Sequence, residues 1–215
     1  MAVLCLVVVL GLIAVGMSAR TRPGTGSLPP PPSTTFEARI VTIAESQVGY
    51  HTEPRDSYCN KFSAYWGAGT PTGCPRGLRA EEWCADFAAW VWRQAGAQFT
   101  YGVGAGDINA AAGSFYEWAQ AHGRWHPATP GYQPQPGDVA VYGLDAPTGS
   151  AAHVAIVTGD QLGARGPDVV NGDGDHTGFS VVEIGVDQYK ADTGSSSALL
   201  SGYASPIRPG RTVSG

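Results

Sequence analysis

Two hydrophobic periods divide the chain. Up to about residue 123 the apolar positions recur every three or four residues, and from Pro136 they gather in short runs rich in β-branched residues. Phe36, Ile40, Ile43 and Ala44 form the first helical stripe, which Gly49 closes. Ahead of it, Thr34 and Glu37 have the spacing of a capping box. A second short helix is predicted over residues 59–66, capped by Asp56 or Ser57, and residues 67–79 read as a Gly/Pro-rich loop. The third helix is predicted over 83–95, with Gly96 in the position of a left-handed C-cap. Its stripe is Cys84, Ala88, Val91 and Ala95, widened by Phe87 and Trp90, and Trp92 falls off it as a candidate surface contact. A fourth helix starts at Ser114, with Glu117 completing a second capping box, and stops at Gly123.

The second half reads as strands at 138–142, 153–157, 168–171 and 179–184, with a last one inside 199–207. Helices first and strands second, with short connections, predict an α+β fold in which N-terminal helices pack on an antiparallel sheet.

Composition changes this picture at the N-terminus. Residues 1–17 are an uncharged apolar run ahead of Arg20 and Arg22, so residues 1–19 read as a signal peptide or an N-terminal membrane anchor. Residues 20–33, with four consecutive prolines, read as an extended linker. The folded domain is placed at 34–208 and a short tail at 209–215. A domain of roughly 180 residues buries about 70% of its unfolded surface and needs no disulfide merely to fold. The net charge of −5 and the scattered basic residues exclude a nucleic-acid partner. The expected location is secreted or in the cell envelope, outside the cytoplasm, with the membrane touched only through the N-terminal segment. The chain is expected to be a monomer.

Four cysteines are present, and Cys5 lies inside the apolar run. Cys59 and Cys74 flank the Gly/Pro-rich insertion and are predicted to form a disulfide, which leaves Cys84 as a free thiol. A free cysteine at a helix start is a candidate nucleophile, provided a base and an orienting group reach it. Glu81 and Glu82 oppose thiolate formation there. Cys84 is therefore expected to depend on an ion pair with an imidazolium. His51, His122, His126 and His176 sit in polar surroundings, whereas His153 opens the apolar strand HVAIV. The next strand ends in two candidates for the third position, Asn171 and Asp173, either of which could fix the imidazole. The order Cys, His, Asn is that of papain-like thiol hydrolases.

The segments NKFSAYWG (60–67), WCADFAAWVWRQAG (83–96), PGDVAVY (136–142), HVAIVTG (153–159) and VVNGD (169–173) together resemble the CHAP domain. That name stands for cysteine, histidine-dependent amidohydrolase/peptidase, a papain-like group that includes bacterial peptidoglycan hydrolases. The resemblance implies a papain-like α+β fold, Cys84 as nucleophile, His153 as general base and Asn171 as the third residue, with Asp173 the second choice. It further implies a peptidoglycan substrate, an amidase or endopeptidase reaction through a thioester, and no cofactor. The tract 56–60 faintly resembles a calcium loop of some relatives but offers too few oxygen ligands. The alternative reading is a catalytically silent form of the domain that binds cell wall or acts in adhesion.

Overall fold

Thr35 starts the folded part: its hydroxyl accepts the Ala38 N–H at 3.1 Å and caps helix α1, Phe36–Glu45. The cap therefore lies one residue beyond the expected Thr34, and Phe36, Ile40 and Ala44 are its buried positions. The computed structural model describes residues 35–55, 57–159, 167–174, 181–184 and 199–210. The readings made for residues 1–34, Asp56, His176 and 211–215 lie outside them.

Strand β1, Cys59–Asn60, pairs antiparallel with β2, Arg79–Ala80, across the insertion. Helix α2, Lys61–Trp66, follows β1 and is capped by Asn60, whose Oδ1 accepts the Ser63 N–H at 2.8 Å. A residue adjoining the helix outcompetes the expected cap, Ser57, whose hydroxyl donates to Pro54 O instead. Asn60 Oδ1 being committed to the helix, one oxygen of the tract compared with a calcium loop is already taken. Among the described residues no three His, Cys, Asp or Glu side chains gather around a common point.

Helix α3, Cys84–Ala95, is the central element and ends at Gly96, whose φ of 89° is the left-handed conformation expected of it. It packs against α1, α2 and the sheet. Helix α4, Ser114–Ala121, has no side-chain cap: the Ser114 hydroxyl instead turns back to Ala111 O at 2.7 Å. Rings from α4 cover the remaining side of α3. Trp92 meets Phe115 and Trp118 at centroid distances of 5.3 Å each, and its Nε1 donates to Gly137 O at 2.9 Å. The surface role expected of Trp92 is thereby overturned, because rings of α4 cover that side of α3 and the Trp92 ring is wholly buried. Full burial of such a side chain contributes about 1.5–3 kcal/mol.

The main sheet contains β3 (Trp125–Pro127), β4 (Val139–Tyr142), β5 (His153–Val157), β6 (Val169–Asn171), β7 (Val182–Ile184) and β8 (Leu200–Ala204). Their spatial order is β3-β8-β4-β5-β6-β7, antiparallel at every pairing. The α+β architecture is thus as expected. Strand β3 was missed by periodicity because only three residues, one of them proline, pair with β8. Val154, Ile156 and Val170 from the sheet join Cys84, Phe87, Ala88 and Val91 from α3 in one core.

Candidate active site

Three chain segments build the site, and each arrives for a local reason. The first is the start of α3. Trp83, at φ −127° and ψ 16°, is outside the helix, so Cys84 is its first residue and no neighbouring side chain caps it. The Trp83 N–H is accepted from across the molecule by Asp173 Oδ2, at 2.9 Å. An acidic group at this end also suits the helix dipole.

The second segment is the turn after β6. Asp173 stands at φ 60°, a left-handed conformation uncommon for any residue but glycine. Beside it, a Cβ on Gly172 would lie 2.4 Å from Phe87 Cβ, closer than real atoms approach. The turn therefore lies directly on α3, and Gly172 is there because no side chain fits.

The third is the beginning of β5. Ile156 opposes Val170, and that register carries Asn171 back towards the His153 end. His153 Nε2 meets Asn171 Oδ1 at 2.9 Å. Because the amide oxygen only accepts, Nε2 carries the proton and Nδ1 is the nitrogen with a lone pair. The Cys84 thiol is reached by the Val154 N–H, which places the sulfur against the residue that follows His153. Cys84 is buried, and Asn171 is completely so.

Burial sets the charge state of both groups. It pushes the Cys84 thiol up to about 12, helped by the Asp173 carboxylate and opposed by the Val154 and Ala85 N–H groups. It pushes the His153 imidazole down to about 4, against the upward effect of the Asn171 hydrogen bond. At neutral pH the two rest as thiol and neutral imidazole. The ion pair anticipated for Cys84 is thus not the resting state, since a buried site disfavours both charged forms.

Asn171 and His153 are brought together as expected. Asp173, the second choice for the third position, instead holds the Trp83 N–H and bears on Cys84 through its charge. Of the acidic neighbours, Glu82 is exposed. The residue that sequence reasoning passed over is Asp86, wholly buried two positions after Cys84, whose Oδ1 accepts the Tyr101 hydroxyl proton. Its signal was an aspartate inside an otherwise apolar helix.

Two other histidines take structural places. His122 Nδ1 lies 2.8 Å from Trp118 O, and His126 stacks on Tyr132 at 4.0 Å. Cys59 and Cys74 are joined by a disulfide, as expected, and Cys84 is the free cysteine among the described residues. Trp83 stacks on Phe62 at 5.3 Å, so the aromatic residue beside the nucleophile position belongs to the core.

No curated protein and no solved structure matches the chain. A family model described as CHAP domain matches residues 76–167, a span that takes in Cys84 and His153 and stops before Asn171. That match supports a hydrolase of the amidase or peptidase type, with peptidoglycan as the general substrate. Residues 76–167 are thus similar to the CHAP domain, in line with the resemblance carried by the sequence segments.

Proposed function

We propose that this protein is an exported cysteine amidohydrolase that cleaves amide bonds in bacterial peptidoglycan, with Cys84 as nucleophile, His153 as general base and Asn171 as the group that orients it. The observation that carries the reading is the His153–Asn171 hydrogen bond of 2.9 Å at the strand end where the Cys84 thiol takes the Val154 N–H. The neutral starting state makes the first step a coupled one. His153 Nδ1 takes the Sγ–H proton as sulfur bonds to the amide carbon, and the carbonyl electrons move onto oxygen. The Cys84 N–H opens the helix and has no intrahelical acceptor, which makes it the donor best placed for that oxyanion.

Collapse of the tetrahedral species breaks the C–N bond, and the proton on Nδ1 goes to the leaving amine. Water then gives a proton to Nδ1 while its oxygen attacks the thioester carbon. Breaking the C–S bond releases the acid, and the proton returns to sulfur. Throughout, Asn171 holds the Nε2–H and so keeps Nδ1 aimed at the reaction. The apolar run at 1–17 and the Cys59–Cys74 disulfide support export, with residues 20–33 as a tether to the domain.

Purified cell walls test the mechanism. Cys84→Ala is expected to lower turbidity clearance by several orders of magnitude, and wild-type clearance by that variant sinks the reading. Mass spectrometry of the released fragments then separates cleavage between muramic acid and alanine from cleavage within the peptide. A second reading, a silent wall-binding module, draws support from the buried thiol. It predicts sedimentation with walls and no clearance by the wild-type protein.

A further inference from the structure

We propose that Glu81 and Asp86 share one proton beside the turn that carries Cys84, and that Glu81 is thereby a positioning residue for the nucleophile. The placement comes first. Glu81 precedes α3 and Asp86 lies in its first turn, so a bond between them spans residues 82–85, with Cys84 among them. Glu81 Oε1 and Asp86 Oδ2 are both buried and neither receives an N–H or O–H from the protein. Yet the two carboxyl groups are in hydrogen-bonding contact with each other. Two bare carboxylates cannot make that bond; one proton between them makes one group the donor and the other the acceptor.

The surroundings favour this state. Asp86 Oδ1 takes the Tyr101 hydroxyl, and the Asp86 backbone oxygen takes Trp66 Nε1 at 3.0 Å. Trp66 and Tyr101 stack at 4.1 Å and shield the pair. The Ser63 hydroxyl meets the Glu81 carboxyl from α2. Arg79 on β2 is the nearby cation, but its guanidinium donates to Ala68 O and Gly69 O at 2.5 Å each, and among the described residues no ion pair joins it to Glu81. Burial and the Asp86 partner accordingly hold the Glu81 carboxyl up at about 8.

The consequence resolves the acidic neighbourhood of Cys84. The Asp86 charge already opposes thiolate formation. With the proton in place the pair adds one negative charge rather than two. Above about pH 8 the proton leaves, the half-buried Glu81 and buried Asp86 carboxylates repel across the turn, and the site loses both alignment and electrostatic tolerance for sulfur anion. Glu81→Gln puts an N–H where the O–H was and keeps the bond without a titrating proton. Glu81→Ala leaves Asp86 without that donor.

The effect on hydrolysis rests on the hydrolase reading, whereas the shared proton does not. The full chain, labelled with 13C at glutamate side-chain carboxyls, is titrated by NMR, with Glu81→Gln identifying the Glu81 signal. That signal is expected to titrate near pH 8, and titration in the ordinary carboxylate range overturns the proposal. In parallel, wall clearance is followed against pH. The ratio of Glu81→Gln to wild type is expected to rise roughly fivefold between pH 8 and pH 9, as one proton leaves wild type alone. Glu81→Ala is expected to clear more slowly than Glu81→Gln at every pH. A flat ratio, or an alanine variant equal to the glutamine variant, overturns the positioning role. A Glu81 titration near pH 8 together with full clearance by Cys84→Ala would leave the shared proton standing and remove the hydrolase mechanism.

Discussion

Asn171 gives the sharpest test of how the site works. Its Oδ1 holds His153 Nε2 at 2.9 Å, and the side chain is wholly buried, so water cannot replace it after truncation. In Asn171→Ala the imidazole loses its orienting acceptor and its Nε2–H is left in an apolar setting, at a cost of about 1–3 kcal/mol. If that cost falls on the transition state, kcat/KM drops by about 5- to 160-fold, with the larger share in kcat because Asn171 is wholly buried and acts through His153. Asn171→Asp acts differently. It keeps an acceptor in place and adds a negative charge, which stabilises imidazolium and raises His153 from its buried value of about 4. The acid limb of the kcat/KM–pH profile, which reports the free enzyme's base, should move upward in Asn171→Asp and stay near pH 4 in wild type. Initial-rate clearance of purified walls between pH 3 and pH 9 measures both effects. Alanine within twofold of wild type, together with an unmoved acid limb in the aspartate variant, would refute the role given to this hydrogen bond.

Three further outcomes follow from the packing and the buried charges. Gly172→Ala sets a methyl 2.4 Å from Phe87 Cβ and must push the Asn171–Asp173 turn off α3. A loss of about 1–3 kcal/mol in denaturant unfolding is expected, with clearance falling further than stability alone explains. Removing the Cys59–Cys74 disulfide, which closes a separation of 15 residues, should cost about 3 kcal/mol by loop entropy and lower the melting temperature by roughly 6–12 °C. Thermal melts of the double serine variant check this. His153 is lowered in the folded state from 6.5 to about 4, so the unfolded chain binds more protons between those values. The stability tied to that group is therefore present above pH 6.5 and lost as pH falls towards 4, and His153→Gln should flatten that part of the stability–pH curve.

The sequence carried the positions of elements better than their ends. Helical stripes and β-branched runs put α3, β4 and β5 within a residue of where they stand, because each buries a continuous apolar face, whereas α1 ends at Glu45, short of the Gly49 expected to close it. Caps were harder to read. Thr34 and Ser114 offered capping boxes, yet Thr35 takes the first and Ser114 turns back to the preceding loop, since such hydroxyls have several backbone groups within reach. Cys84, His153 and Asn171 were legible through residue type and order. What no local pattern contained was the long-range partner: the Asp173 bond to Trp83 spans 90 positions, and the Glu81–Asp86 contact is closed by Tyr101 from beyond the helix. Trp92 failed for a related reason, as a helical wheel shows a stripe but not how many neighbours will surround the helix.

These long-range contacts explain why a site surrounded by carboxylates can still be built around a thiol. Glu81, Asp86 and Asp173 all stand near Cys84, and each is engaged: Asp173 by the Trp83 N–H, Asp86 by the Tyr101 hydroxyl, and Glu81 by contact with Asp86. A helix dipole alone could not offset three such groups, being worth about 0.3–1 kcal/mol near the surface. The buried thiol at about 12 and the imidazole at about 4 start the reaction neutral, so no ion pair has to be desolvated when substrate covers the site. In the proposed mechanism, charge then needs to develop only as sulfur bonds to carbon, when it passes onto the substrate oxygen and is met by the Cys84 N–H. On this view the acids near Cys84 set the geometry of the turn, and the neutral resting pair is what lets them stay there.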